Sequence, residues 1–175
     1  MDHDILVSGG GIAGLTATAA FAQAGFNVIC VDPAKPVTVR DAQGADLRST
    51  AFLQPAHALL EEVGLWTRLA PHAQPLQIMR IIDAGGPEPE ARMSKEFDAA
   101  DISDHPFGWN LPNWLLRREM AAHLETLPNV TYKTGVGART LFTRTAEARV
   151  GLSDSTRVSA RLVIAADGRG SPMRE

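Results

Sequence analysis

The chain has 175 residues, 45% apolar and 21% charged, which is enough length and apolar content for one well-buried domain. A net charge of −3 argues against a nucleic-acid binder, and one cysteine, Cys30, excludes an internal disulfide. The opening Met1-Asp2-His3-Asp4 has no basic n-region, so no signal peptide is expected, and a reducing, cytoplasmic setting is.

Ile5-Leu6-Val7 reads as a buried parallel strand that feeds the cluster Gly9-Gly10-Gly11-Ile12-Ala13-Gly14. Small and helix-favouring residues follow over 15–24, with Gly25 as the C-terminal stop. Strand, glycine turn and helix are the setting in which G-x-G-x-x-G implies dinucleotide binding. Gly9 permits the turn, Gly11 lets backbone approach a pyrophosphate, and Gly14 lets helix and strand pack closely. A second strand over 27–31 leads to Asp32, 18 residues after Gly14, where an acid can bind a ribose hydroxyl. The same stretch is apolar on average but broken by glycines, so it is not read as a membrane span.

Residues 33–46 read as an irregular connection. Leu47-Arg48-Ser49-Thr50 leads into a helix that starts at Gln54-Pro55, carries Leu59, Leu60 and Val63 on one face, and stops at Gly64. A strand is expected over 77–83, a turn at Gly85-Gly86-Pro87, a partner strand over 91–97 and a loop over 98–108. Asn113 is the expected N-cap of a helix whose face is Leu116, Met120, Leu124 and Leu127, closed by Pro128. Beyond it come a strand over 130–134, a meander of short strands over 139–145, 147–152 and 156–161, and a separate apolar strand over 162–166 ending in Asp167-Gly168. The fold class is α/β, with residues 1–67 and 113–175 as a nucleotide-binding layer and 68–112 as an excursion into a second sheet.

Several segments together resemble the FAD-dependent aromatic-ring hydroxylases of the para-hydroxybenzoate hydroxylase type, and within them the ubiquinone-biosynthesis hydroxylases. They are the glycine fingerprint with Asp32, where the family more often has Glu, and the stretch from Asp46-Leu47-Arg48-Ser49-Thr50-Ala51 to Gly64-Leu65-Trp66. To these add Phe107-Gly108-Trp109-Asn110-Leu111-Pro112-Asn113-Trp114-Leu115-Leu116-Arg117 and Ala165-Ala166-Asp167-Gly168-Arg169-Gly170-Ser171-Pro172-Met173-Arg174. The resemblance implies a Rossmann-like layer and the start of a substrate sheet. FAD would be held by Gly9, Gly11, Ile12, Ala13, Gly14 and Asp32, with Arg48 and Arg117 near its pyrophosphate and isoalloxazine ends. Val136 would meet the adenine through its backbone, and Asp167 would lie between flavin phosphates and NAD(P)H. On residues alone Arg117, beside Arg118 in a helix, reads as a solvated charge, and only the resemblance favours a role at the flavin.

The implied activity is transfer of one oxygen atom of O2 to an electron-rich ring, with NAD(P)H as co-substrate and an aromatic, polyprenylated quinone precursor as substrate. Such a lipophilic substrate is compatible with association at the inner membrane face or with other quinone-pathway proteins. The flavin carries the chemistry, so no catalytic residue is assigned, and the histidine spacings predict no metal site. Members of that family continue to a Gly-Asp-Ala-Ala-His segment that closes on the flavin; no Gly-Asp pair occurs in these residues. The expectation is therefore the N-terminal portion of such a hydroxylase, lacking the C-terminal part of the fold. An NAD-dependent dehydrogenase and an inactive assembly module are the competing readings.

Overall fold

A computed structural model describes residues 2–87 and 90–174. The elements run β1 (His3–Ser8), α1 (Ile12–Gln23), β2 (Val28–Asp32), β3 (Ser49–Leu53), α2 (Gln54–Glu62), α3 (Trp66–Leu69), β4 (Gln74–Leu76) and β5 (Ile78–Asp83). They continue through β6 (Met93–Asp98), β7 (Gly108–Pro112), α4 (Asn113–Leu124), β8 (Val130–Thr134), β9 (Ala138–Thr143) and β10 (Ala148–Leu152) to β11 (Arg157–Ala165).

A six-stranded sheet, in the order β8-β2-β1-β11-β10-β9, organises the molecule. Strands β8, β2, β1 and β11 are parallel, while β11, β10 and β9 are antiparallel neighbours. β1 and β2 are buried along Ile5–Ser8 and Val28–Val31, as central parallel strands covered on both faces must be. Helix α1 is built from small and apolar residues without a charge, so it can lie against both the sheet and α4. Leu15 and Ala19 of α1 meet Leu116, Met120 and Leu124 of α4, and Leu60, Leu65, Leu69 and Leu111 complete this core. Burying one such leucine contributes roughly 2–3 kcal/mol. The opposite face of the sheet packs around Leu6, Ile29, Val150, Leu152 and Ala160.

Four details depart from the expected elements. β11 is one nine-residue strand, where two were expected: its first half pairs with β10 and its second half with β1. The change from polar to apolar residues is no break: the strand runs continuously from Arg157 to Ala165. The stretch before α2 is a strand, β3, and the stretch before α4 ends in another, β7; they pair with each other from Ser49↔Pro112 to Leu53↔Gly108. β4 adds to β7, so this three-stranded sheet joins residues on both sides of the boundary expected at 67/68. Asn113 is not the cap of α4, since Pro112 holds that position and Asn113 is the first helical residue. Its buried amide instead donates to Asp46 at 3.0 Å and accepts from Thr50 Oγ1 at 2.7 Å, tying β3 to α4.

Strands β5 and β6 form a separate ribbon in register from Ile78↔Asp98 to Asp83↔Met93. Every residue of both strands is exposed. No helix among the described residues is long and apolar enough to cross a membrane.

Candidate functional site

A cleft of about 300 Å³ opens at the carboxyl ends of β1, β2 and β11 and is lined by Gly9, Gly10, Gly11, Asp32, Ala34, Lys35, Pro36, Arg117, Tyr132, Ala166, Asp167 and Gly168. In open parallel sheets this is where ligands bind, because helix N-termini and turn backbones converge there. The glycine turn is shaped by close approach. Gly9 has φ +111°, and a Cβ there would overlap the Ala166 carbonyl; one on Gly14 would overlap the Gly9 carbonyl oxygen. At Gly11 a Cβ would meet nothing within 4 Å, so that position faces open space. The intrahelical ladder of α1 starts with Leu15 N–H donating to Gly11 O. The N–H groups of Ile12, Ala13 and Gly14 are thus left outside it at the positive end of the helix. Ile12 and Ala13 themselves do not line the cleft.

Asp32 closes the turn from the side. Its Oδ2 accepts from Gly10 N–H at 2.6 Å and its Oδ1 from Ala34 N–H at 2.8 Å. A carboxylate has about four acceptor positions, so about two remain for ligand hydroxyls. Beneath the turn Cys30 donates to Gly9 O at 3.7 Å, and burial pushes its thiol up to about 11, which leaves it an inert core residue.

Asp167 follows β11, beside the end of β1, and its Oδ2 accepts from Ser8 Oγ at 3.0 Å. Its Oδ1 is buried without a partner, as are Arg117 Nε and Tyr132 Oη. All three residues line this cleft. Buried polar atoms are nearly always paired, so three orphans around one cleft describe a site shaped for a polar ligand. An adjoining hollow of about 360 Å³, lined in part by Ser8, Pro33, Gly137 and Ala138, shares Asp32 and Asp167 with it.

The expected site residues divide accordingly. Gly9, Gly11, Asp32, Arg117 and Asp167 meet at the cleft, and Gly14 packs behind it. Val136 does not line the cleft; its backbone N–H donates to Asp32 O at 3.0 Å, next to the adjoining hollow. Arg48 is not brought to the cleft. Its guanidinium is exposed and makes two 2.8 Å hydrogen bonds to Asp46, whose carboxyl is held well below the usual range by Arg48 and Asn113. Lys35 and Tyr132 line the cleft without having been singled out. Lys35 sits in the irregular segment just after Asp32, a position where a cation is a usable signal. Tyr132 is level with Cys30 in the parallel pair of β8 and β2, which only the sheet order reveals. The tryptophans pack elsewhere: His57 stacks on Trp109 at 3.9 Å and meets the edge of Trp66 at 4.2 Å.

Residues 2–175 match the family described as FAD binding domain. The ubiquinone hydroxylase UbiL of Rhodospirillum rubrum is 33% identical over 172 residues, covering 98% of this chain and 38% of that protein. The 3-demethoxyubiquinol 3-hydroxylase of Escherichia coli is 28% identical over 181 residues, covering 98% of this chain and 43% of that protein. The chain thus spans about two fifths of the length of these curated relatives. Among solved structures, p-nitrophenol 4-monooxygenase PnpA from Pseudomonas putida superposes with a TM-score of 0.78 at 22% identity, over 99% of this chain and 42% of that one. The anhydrotetracycline hydroxylase OxyS from Streptomyces rimosus does so with a TM-score of 0.77 at 17% identity, over 99% and 33%. With its glycine turn, its acid and its sheet all inside the matched span, the chain belongs to the FAD-binding domain family.

Proposed function

We propose that this chain is the FAD-binding part of a flavoprotein monooxygenase that uses NAD(P)H and O2 to hydroxylate an aromatic ring, with a phenolic ubiquinone precursor as substrate. The observation that carries the reading is the cleft at the glycine turn, where Arg117 Nε, Tyr132 Oη and Asp167 Oδ1 are all buried without a partner. The similarity to ubiquinone hydroxylases supports the substrate class.

The residues present suit the cofactor. The N-terminus of α1 and the open space at Gly11 receive a pyrophosphate, and Lys35 and Arg117 offset its charge. Asp32, already fixed by two backbone N–H groups, keeps acceptor capacity for ribose hydroxyls. Asp167, oriented by Ser8, offers Oδ1 to a donor on the ligand. When bound, FAD supplies the redox and oxygen chemistry, and this chain contributes anchoring and orientation. A lipophilic substrate further implies that the protein works at the membrane periphery or with other quinone-pathway proteins.

The test is ligand binding by the natural protein. It is expected to purify yellow, to bind FAD more tightly than NAD in calorimetric titration, and to oxidise NAD(P)H only when a phenolic substrate is added. Colourless protein that ignores added FAD would overturn the proposal, and tighter binding of NAD would replace it with a dehydrogenase.

A further inference from the structure

We propose that Tyr132 is a cofactor-positioning residue, its hydroxyl donating to a phosphate oxygen of the bound dinucleotide, and that residue 10 is glycine in order to admit it. The inference rests on the FAD reading above.

Gly10 occupies an x position of Gly9-Gly10-Gly11-Ile12-Ala13-Gly14, so the fingerprint itself makes no demand on it. The structure does. A Cβ at residue 10 would lie 2.8 Å from Tyr132 Oη and 3.0 Å from Asp32 Cβ. The phenol therefore fills the place where any other residue would put its side chain. Tyr132 comes from β8, next to β2, and its ring packs against both the helical core and the core around Val7, Val28 and Cys30. Tyr132 lines the cleft, and its hydroxyl oxygen is buried without a partner.

The chemistry of the orphans identifies what they await. Arg117 Nε–H can only donate, and burial next to Cys30 and Asp32 pushes the Tyr132 phenol up to about 12, so it too stays protonated and donates. Two donors on one cleft wall without an acceptor call for an anionic oxygen. A phosphate beside the α1 N-terminus provides one. Asp167 Oδ1, an acceptor, calls for the opposite and suits a hydroxyl or N–H of the same ligand.

The test compares natural protein with Tyr132→Phe, Gly10→Ala and the double variant, reading affinity for FAD, ADP and riboflavin by calorimetry and the melting temperature of the ligand-free protein. Tyr132→Phe keeps the ring and removes the orphaned hydroxyl. It is expected to leave the ligand-free melting temperature unchanged or raised, to weaken FAD and ADP about tenfold or more, and to leave any riboflavin binding unchanged. Gly10→Ala is expected to lower the melting temperature and FAD affinity, and adding Tyr132→Phe to recover part of the lost stability by clearing the 2.8 Å overlap. FAD bound equally well by Tyr132→Phe and natural protein overturns the inference. So does a fall in ligand-free melting temperature that accounts for the lost affinity, which is the signature of a structural role. Failure of the natural protein to bind FAD at all rejects the underlying FAD reading and this inference with it.

Discussion

The strands at the glycine turn and the strands of the β5–β6 ribbon look alike in composition and behave oppositely. Leu6-Val7 in β1 is fully buried, whereas Ile81 and Ile82 in β5 are each 54% exposed. Both are short apolar runs. What separates them is neighbours: β1 has a parallel strand on each side and packed side chains on both faces, while β5, among the described residues, pairs with β6 alone and is exposed along its length. Apolar sequence alone does not bury a strand; position in a multi-stranded sheet does. A two-stranded ribbon by itself is marginal in water, and its stability comes from cross-strand pairs such as Arg80 with Glu96.

This contrast can be broken at its strongest point first. Gly14→Ala forces a methyl group into the Gly9 carbonyl and is expected to cost about 3 kcal/mol or more, or to abolish folding, in a thermal melt. Leu116→Ala, in the core beneath the same sheet, is expected to cost about 3 kcal/mol in denaturant titration. Asp32→Asn leaves one of two backbone N–H groups without a good acceptor and is expected to cost roughly 1–3 kcal/mol, together with a measurable loss of FAD affinity by calorimetry. In the ribbon, Arg80→Ala is expected to change stability by less than about 1 kcal/mol, since that ion pair is exposed. A ribbon variant as damaging as Leu116→Ala would end the distinction.

Acid sensitivity should follow the same division. His123, on α4, is half-buried beneath Gly64 with Nε2 unpartnered, and burial together with the Arg68 charge lowers its pKa below the usual 6.5. The unfolded chain therefore takes up the proton first, and stability declines as pH falls through 6.5 until the folded-state pKa is reached. Replacing His123 by Gln should flatten denaturant midpoints measured between pH 7 and 5; an unchanged slope would assign the effect to another group.

Much of the central architecture was readable because β1, α1, β2 and Asp32 are consecutive and each carries its own local signal. Strands β3 and β7 were not, since each is five residues long and exists only through pairing with the other across more than fifty positions. The two halves of β11 differ in polarity because they face different neighbours, so one strand reads as two. At the cleft, the glycines and acids follow from chain spacing. Arg48 could not be placed by that route: it turns to Asp46, two residues away, and Asp46 is itself held by Asn113 across the junction of β3 with α4. Tyr132 is hidden for the same reason, being a mid-strand residue whose reach depends on which strand lies next to it.

The dual pairing of β11 also bears on how the protein comes into being. The turn made by the first fourteen residues is walled by Ala166 and Asp167, and β1 matches Ile5 to Leu162 and Ser8 to Ala165. The contacts that finish the cleft are thus among the most distant in sequence that the molecule makes. Such contacts carry a large loop-closure cost and form slowly. During synthesis the glycine turn leaves the ribosome long before its wall, so cofactor capture is a late event, and a stalled or cleaved chain lacking β11 would expose the apolar edge of β1 rather than a half-working site.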